Sequence, residues 1–214
     1  WKQLRQGQIK DIIFENRNKK IIEKQINHLR AIIATTDLNF VIKNCITEVG
    51  SPIITKIKID YKGQNHILNY NMHDMSDLYH SWLILQQLSK FKNSTPIICE
   101  IGGGYGGLAS KIKSNIKGAK IIMLDLPEVN AFQTFYLSKI FNGAIIKGYK
   151  DLSQEGVGVL ENKFDFLILP GWAIDKLPKA SVDAYINVRS MMEMSKENLE
   201  FYFKAIQSSL KMEG

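Results

Sequence analysis

The chain has 214 residues, of which 45% are hydrophobic and 23% charged, a composition that excludes a disordered or collagen-like protein and predicts a folded one. No apolar run reaches the roughly 18–20 residues that cross a bilayer, and no signal peptide is recognisable, so we expect a cytoplasmic protein. The formal net charge of +7 arises mainly in residues 1–66, which hold twelve Lys and Arg against six Asp and Glu; a solvated basic helix face or contact with an anionic partner would explain it.

Residues 1–92 are predicted to form a helical extension with a small β-hairpin. Apolar residues recur at helical spacing, and the predicted helices span residues 2–34, as one helix or two, 37–49 and 74–88. Asp37 and Asp74 are the predicted N-caps of the last two, since an Asp side chain accepts hydrogen bonds from a first helical turn. Alternation on both sides of the Lys62-Gly63-Gln64 turn predicts the hairpin, over residues 53–61 and 66–70.

In residues 93–214, short apolar runs alternate with helical segments. The predicted strands span residues 96–102, 120–126, 164–169 and 182–188, and the predicted helices span residues 107–116, 128–141 and 195–211. Strands that alternate with helices imply right-handed crossovers and a parallel sheet. We therefore predict a doubly wound, Rossmann-like α/β core as the second domain.

The turn after the first core strand holds five glycines, which are Gly102, Gly103, Gly104, Gly106 and Gly107. Glycine permits positive φ angles and removes the β-carbons that would keep a ligand at a distance. The helix that follows directs its free N–H groups toward the same place. Because ligands of open α/β sheets bind at the carboxyl ends of the strands, this turn predicts a ligand site.

Two carboxylates flank the turn and bear on which ligand it binds. Glu100, within the strand, completes the pattern Glu-x-Gly-x-Gly-x-Gly that is typical of class I methyltransferases, where it would receive the amino group of S-adenosylmethionine. Asp125 ends the second strand and is placed to accept hydrogen bonds from ribose hydroxyls, although it would also suit a helix cap. The spacing Gly102-x-Gly104-x-x-Gly107 equally fits a dinucleotide fingerprint, so an NAD-dependent oxidoreductase is an alternative, but a carboxylate at position 100 would sit poorly beside a pyrophosphate.

Two longer stretches resemble known families. EIGGGYGGLA followed by MLDLPEVN resembles small-molecule O-methyltransferases, and VDAYINVRSMMEM followed by YF is similar to a bacterial family of sugar O-methyltransferases associated with surface polysaccharide biosynthesis. The resemblance runs from about Val49 to Lys211 and implies S-adenosylmethionine as cofactor and a sugar or glycan hydroxyl as acceptor. The cofactor site that it implies consists of Glu100, Gly102, Gly104, Gly106, Asp125 and Trp172. Trp172 would stack on the adenine or else pack into the core.

A sugar hydroxyl is a poor nucleophile, so methyl transfer to it would be helped by a general base or by a divalent metal ion that lowers the hydroxyl pKa. Glu193 follows the fourth strand and is the first candidate base, although it would also serve as a charge at a helix N-terminus. Asn187, Arg189 and Ser190 are predicted to orient the acceptor. His80 is the second candidate, as a base or a substrate contact, because its helix precedes the first core strand and could fold over the pocket; the alternative is an ordinary half-buried histidine. No metal site is predicted, since capping by Asp74 would leave His73 outside the helical face of Asp77 and His80.

Further expectations concern the whole protein. Class I methyltransferases have a seven-stranded sheet, whereas this sequence offers about four core strands, so we expect a C-terminally truncated core. We expect a small-molecule or glycan acceptor, compatibility with a homo-oligomer and no stable nucleic-acid partner. The remaining alternative is a non-catalytic RNA- or nucleotide-binding protein with a methyltransferase fold, which predicts salt-sensitive RNA affinity.

Overall fold

The computed structural model describes residues 11–12, 19–45, 49–50, 54–61, 63–89 and 95–212. The chain forms two compact units, Trp1–Lys90 and Phe91–Gly214. Among the helices of these described segments, none combines the length and the apolar character needed to cross a membrane.

In the described part of the N-terminal unit, three helices pack against a three-stranded antiparallel sheet. The helices are α1 (Lys19–Thr35), α2 (Leu38–Asn44) and α3 (Met72–Leu88). The strands, in sheet order, are β1 (Asp11–Ile12), β2 (Thr55–Tyr61) and β3 (Gln64–Tyr70). The predicted hairpin is confirmed, as is the N-cap Asp37, whose side chain accepts a hydrogen bond from the Phe40 N–H at 3.0 Å. A core of its own, which includes Leu29, Ile57 and Leu78, fills this unit.

The structure corrects the predicted helices at two places. Asp11 and Ile12 form a strand that pairs with β2, in the register Asp11↔Lys58, rather than part of a helix that begins at residue 2. The backbone of these two residues is hydrogen-bonded to the edge of the sheet, a long-range contact that the local spacing of apolar residues does not predict. The second helix ends at Asn44 instead of Val49, and the next residue turns toward the hairpin, where the Cys45 thiol donates a hydrogen bond to the Asn69 carbonyl at 2.9 Å. Residues 2–10, 13–18 and 46–48 of the predicted helices lie outside the described residues.

The N-cap of α3 is Asn71, not Asp74. The Asn71 side chain accepts hydrogen bonds from the N–H groups of His73 and Asp74, so the helix begins at Met72, two residues earlier than predicted. Asp74 is buried in the first turn. Both residue types cap well, and only the hydrogen bonds distinguish them.

The C-terminal unit contains a five-stranded, fully parallel sheet flanked by helices. The strands are β4 (Ile97–Ile101), β5 (Lys120–Asp125), β6 (Ile146–Gly148), β7 (Phe166–Pro170) and β8 (Ala184–Asn187). The helices are α4 (Gly107–Asn115), α5 (Pro127–Ile140), α6 (Tyr149–Glu155) and α7 (Lys196–Ser209). The predicted α/β class and the four predicted core strands are confirmed, whereas β6 and α6 were not foreseen.

The strand order β6-β7-β5-β4-β8 places the site. The chain leaves β4 toward β5 and the β6–β7 edge, then returns to add β8 on the other side of β4. The carboxyl end of β4 is therefore a topological switch point, where open α/β sheets bind their ligands. Every residue of β7 is buried, as are most residues of β4 and β5.

Candidate functional site

The glycine turn after β4 has the backbone geometry that its sequence predicts. Gly102, Gly104 and Gly106 have φ angles of +72°, +55° and +99°, values that L side chains rarely adopt. The Gly102 N–H donates to the Leu124 carbonyl at 2.8 Å, which fastens the turn to β5. Gly106 is the N-cap of α4. Among the described residues, no heavy atom lies within 4 Å of the position where a β-carbon of Gly104 would be, so the turn is open on that side.

Glu100 packs directly against this turn. A β-carbon on Gly103 would lie 2.8 Å from Cδ of Glu100, so the carboxylate occupies the space that a side chain at position 103 would need. Glu100 is only 3% exposed and places a negative charge beneath the turn. Together with burial, which is the larger effect, that charge raises the pKa of the Cys99 thiol, so Cys99 is a neutral core residue. A contact between Glu100 and the cofactor's amino group stays a prediction.

Asp125 is held as a hydrogen-bond acceptor at the end of β5. Its Oδ1 accepts from the Leu126 N–H at 2.8 Å, and its Oδ2 accepts from the Gly104 N–H at 3.0 Å and the Gln133 side chain at 3.1 Å. Burial raises the pKa of Asp125 overall, although these three hydrogen bonds oppose the shift. The carboxylate is thus fixed in position with lone pairs left on Oδ1 for a further donor.

One cavity of about 380 Å³ lies beside Asp125. Its lining comes from the carboxyl ends of β4, β5 and β7, from the turn after β8, and from α7. The lining residues are Ile101, Gly102, Leu124, Asp125, Leu126, Pro127, Gly171, Trp172, Ser190, Glu193, Met194, Asn198, Phe201 and Tyr202. The structure therefore brings together five of the predicted site residues, Gly102, Asp125, Trp172, Ser190 and Glu193.

Trp172 is half-exposed at the cavity rather than buried in the core. It is 51% exposed, and its ring meets Tyr149 edge-on, with the ring centroids 4.6 Å apart. The exposed apolar side chain of Leu126 lines the same cavity. An aromatic ring and a Leu side chain that face one space suit a flat heteroaromatic ligand.

Asn187 and Ser190 are bonded to the end of β4. The Asn187 amide and the Ser190 hydroxyl donate to the Ile101 carbonyl at 2.9 and 3.0 Å, and the Asn187 amide also donates to Ser190. These hydrogen bonds clamp the turn after β8 to the end of β4, directly before the glycine turn. Arg189 is exposed with a φ angle of +77° and is not among the cavity residues. Contact of the three side chains with an acceptor stays a prediction.

The two candidate bases lie in different units. Glu193 is exposed and lines the cavity, at the end of the 3₁₀ turn Ser190–Glu193. His80 is half-buried on α3 in the N-terminal unit, with its ring 5.6 Å from that of Tyr79. Although His73 belongs to α3 after all, no group of three His, Cys, Asp or Glu side chains within the described ranges is arranged to hold a metal ion.

Several residues at the site were not predicted from the sequence. Gln133 does not line the cavity, but it is fully buried and hydrogen-bonded to Asp125. The others lie on α7 and line the cavity: Asn198, Phe201 and Tyr202. Tyr202 begins the YF stretch of the sugar O-methyltransferase resemblance, but no spacing assigned it to the site, because only the packing of α5 and α7 on the sheet brings these residues there.

The residues present fit S-adenosylmethionine. The open side of Gly104 permits close approach of a ligand, and Asp125 offers a fixed acceptor for ribose hydroxyls. Trp172 and Leu126 supply apolar surface for adenine, while the buried Glu100 favours a ligand that carries positive charge. A pyrophosphate would instead meet the Glu100 charge.

Comparison with protein families supports this assignment. The family model of the O-methyltransferase domain matches residues 29–147, which is more than half of the chain. Curated protein sequences gave no significant match.

Comparison with solved structures returns methyltransferases at low similarity. The chain is 16% identical to the mitomycin 7-O-methyltransferase, with a TM-score of 0.37. The match covers 65% of this chain and 36% of the other protein. It is 13% identical to an S-adenosylmethionine-dependent methyltransferase from Methanococcus maripaludis (TM-score 0.41, 94% and 64% covered). It is also 13% identical to human N-acetylserotonin methyltransferase in complex with SAM (TM-score 0.35, 93% and 79% covered). The chain spans 36% of the length of the first of these proteins and 64% of the second. Similarity at this level does not identify the acceptor.

Proposed function

The chain belongs to the O-methyltransferase domain family, whose cofactor is S-adenosylmethionine, and we propose that it transfers the cofactor's methyl group to a hydroxyl oxygen. One observation carries the proposal. The same cavity is lined by Asp125, a fixed acceptor for the cofactor's ribose, and by Glu193, an exposed carboxylate suited to take a proton from the acceptor.

Binding of the cofactor is assigned to the elements around the glycine turn. Asp125 accepts the ribose hydroxyls, and Trp172 lies against the adenine. Gly102, Gly104 and Gly106 let the backbone approach the methionine part, whose amino group is attracted by Glu100. The bound cofactor supplies a methyl group activated by the positive charge on sulfur, so the protein has mainly to position the acceptor and exclude water.

Deprotonation of the acceptor is assigned to Glu193. A sugar hydroxyl is a poor nucleophile, and a carboxylate within hydrogen-bond reach removes its proton as the new C–O bond forms. The clamp of Asn187 and Ser190 on the Ile101 carbonyl holds the turn that carries Glu193. Arg189 and the remaining hydrogen-bonding capacity of Ser190 and Asn187 orient the acceptor. His80 is the second candidate for the base.

The proposed acceptor is a sugar hydroxyl of a glycan precursor in surface polysaccharide biosynthesis. The stretch VDAYINVRSMMEM, which resembles sugar O-methyltransferases, forms β8 and the turn that ends at Glu193. This turn combines a cation, a hydroxyl and a carboxylate, and such groups suit a polyhydroxylated acceptor better than an apolar one.

The test is methyl transfer to candidate acceptors. Sugar nucleotides and lipid-linked glycans are incubated with isotope-labelled S-adenosylmethionine, and mass spectrometry follows the label. Glu193→Gln should lower kcat by about 100-fold or more while the Kd for S-adenosylhomocysteine stays within about twofold of wild type. Glu197→Gln, an exposed carboxylate in the first turn of α7, is the matched control and should retain full activity.

Three results would contradict parts of the proposal. If Glu193→Gln retains full turnover, Glu193 is not the general base, and His80→Ala is the next variant to measure. Labelled product from a nitrogen or carbon acceptor alone, with none from hydroxyls, refutes O-methylation. Thermal stabilisation by NAD, with none by S-adenosylhomocysteine, refutes methyl transfer altogether.

A further inference from the structure

Tyr202 and Gly171 meet at the wall of the cavity. Tyr202 extends from α7, and Gly171 is the residue that follows β7. A β-carbon on Gly171 would collide with the Tyr202 hydroxyl oxygen, whereas Cζ of the same ring would be 3.6 Å away, an ordinary contact. The backbone at Gly171 does not have a positive φ angle, so glycine is needed here for space rather than for conformation.

The hydroxyl of Tyr202 lies beside Gly171, among the residues that would surround the nucleoside part of the cofactor. Asp125 and Trp172 line the same cavity, and the Asp125 carbonyl oxygen would be 3.7 Å from a β-carbon on Gly171. Burial, followed by the negative charge of Asp125, raises the pKa of Tyr202, so the phenol stays a hydrogen-bond donor. No hydrogen bond found among the described residues uses this hydroxyl.

Tyr185 provides a contrast within the same unit. It lies on β8, and its hydroxyl shares a 2.6 Å hydrogen bond with the Ser209 hydroxyl at the end of α7. Tyr185 does not line the cavity. The Tyr185 hydroxyl therefore has a protein partner on α7, whereas Tyr202 lines the cavity and its hydroxyl has no such partner among the described residues.

We propose that the Tyr202 hydroxyl hydrogen-bonds the nucleoside part of the cofactor, and that Gly171 is a positioning residue that leaves room for this hydroxyl. The inference rests on the proposed function, since it presumes that the cavity binds S-adenosylmethionine. It adds a contact from α7, the helix behind the acceptor turn, to those made by the glycine turn and Asp125.

Binding measurements on Tyr202→Phe test the contact. By calorimetry, the Kd for S-adenosylhomocysteine should rise about fivefold, and the Kd for adenosine should rise by a similar factor, as expected for one hydrogen bond. Tyr185→Phe is the matched control. It also removes a single tyrosine hydroxyl beside α7, and it should leave both Kd values within about twofold of wild type.

A double-mutant cycle tests Gly171. In the wild-type background, Gly171→Ala should displace the Tyr202 ring and weaken S-adenosylhomocysteine binding about tenfold. In the Tyr202→Phe background the same substitution meets only Cζ, so it should change the Kd less than twofold. Thermal unfolding should show the same pattern, with Gly171→Ala lowering Tm in the wild-type background only.

The outcomes separate this inference from the proposed function. If wild-type protein binds S-adenosylhomocysteine and Tyr202→Phe binds it equally well, the Tyr202 contact is refuted and the proposed function stands. An equal effect of Gly171→Ala in both backgrounds refutes the positioning role. If wild-type protein does not bind S-adenosylhomocysteine, the proposed function fails and this inference fails with it. Should Gly171→Ala not fold, the two Tyr→Phe variants decide the contact by themselves.

Discussion

Gln133 holds the Asp125 carboxylate through a hydrogen bond, although its own side chain is only partly satisfied in a buried position. The side chain is fully buried, and its Nε2 donates to Asp125 while its Oε1 has no partner among the described residues. Gln133→Leu removes both the hydrogen bond and the unpaired carbonyl oxygen. We expect the free energy of unfolding to change by less than about 1 kcal/mol, since replacement of an unpaired polar group by an apolar one of similar size costs little. The Kd for S-adenosylhomocysteine should rise about fivefold, because Asp125 loses one of the groups that fix it.

The pH dependence of binding distinguishes this role from a structural one. In the proposed cofactor site, ionised Asp125 accepts the ribose hydroxyls more strongly than its protonated form does, so binding should weaken as the pH falls through its pKa. That pKa is already raised by burial, and the Gln133 hydrogen bond opposes the shift. In Gln133→Leu the pKa of Asp125 rises further, and the loss of affinity should therefore begin at a higher pH than in wild type. Superimposable pH profiles for the two proteins would contradict this role.

Some residues of the candidate site could be predicted from the sequence, and others became apparent only in the structure. Glu100, the glycines and Asp125 were predicted because they lie within a short motif whose spacing has a physical meaning. Gln133 is eight positions from Asp125, on a helix whose polar residues carry no local signal, and Tyr202 comes from a still more distant helix. Their roles depend on packing between elements, which spacing along the chain does not encode.

Among the elements, α4 and the strands β6 and β7 are joined by an ion pair at the sheet edge away from the site. The Lys113 ammonium contacts the Asp165 carboxylate at 2.8 Å and donates to the Ala119 carbonyl at 2.6 Å, while Asp165 also accepts from the Ile145 N–H at 2.9 Å. Burial alone would raise the pKa of Asp165, but these hydrogen bonds lower it below its ordinary value. Asp165→Asn should lower the free energy of unfolding at pH 7 by about 1–2 kcal/mol, measured by urea unfolding.

The sign of the pH effect follows from the direction of the shift. A carboxyl whose pKa is lowered by folding contributes stability above its unfolded pKa of about 3.9 and loses that contribution as the pH falls through its folded pKa. The difference between wild type and Asp165→Asn should therefore shrink below about pH 4. Glu200→Gln breaks the exposed Lys196–Glu200 pair, 3.9 Å apart, and serves as a control with no measurable effect. A difference that persists unchanged at pH 3 would refute the assignment.

Strands with a clear hydrophobic pattern in the sequence were predicted well, whereas strands without such a pattern were not predicted. The runs that became β4, β5 and β7 are apolar except for Glu100, Lys120 and Asp125, as is typical of strands buried on both faces. The three-residue strand β6 is only half-buried along its length, so its sequence has no strand pattern. Asp11–Ile12 pairs at a sheet edge, where backbone hydrogen bonds rather than side-chain alternation define the strand.

At the scale of the whole molecule, the matched family region, residues 29–147, extends over parts of both compact units. All the residues that line the cavity belong to the C-terminal unit, whereas the surplus of positive charge belongs to the N-terminal part. Each unit also has its own buried core. Cofactor binding should therefore depend on one core and not on the other.

A matched pair of core substitutions in the full chain tests this dependence. Leu29 and Leu167 are both fully buried, the first in the N-terminal core and the second in the C-terminal core. Each Leu→Ala change should destabilise its own unit by about 2–5 kcal/mol. In hydrogen exchange followed by mass spectrometry, Leu29→Ala should accelerate exchange in α1 and α3 and leave the Kd for S-adenosylhomocysteine within about twofold. Leu167→Ala should accelerate exchange in β5 and β7, and S-adenosylhomocysteine should restore part of that protection by binding the folded form. Loss of cofactor binding in Leu29→Ala, with exchange in β4 and β5 unchanged, would show instead that the N-terminal unit contributes to the cofactor site.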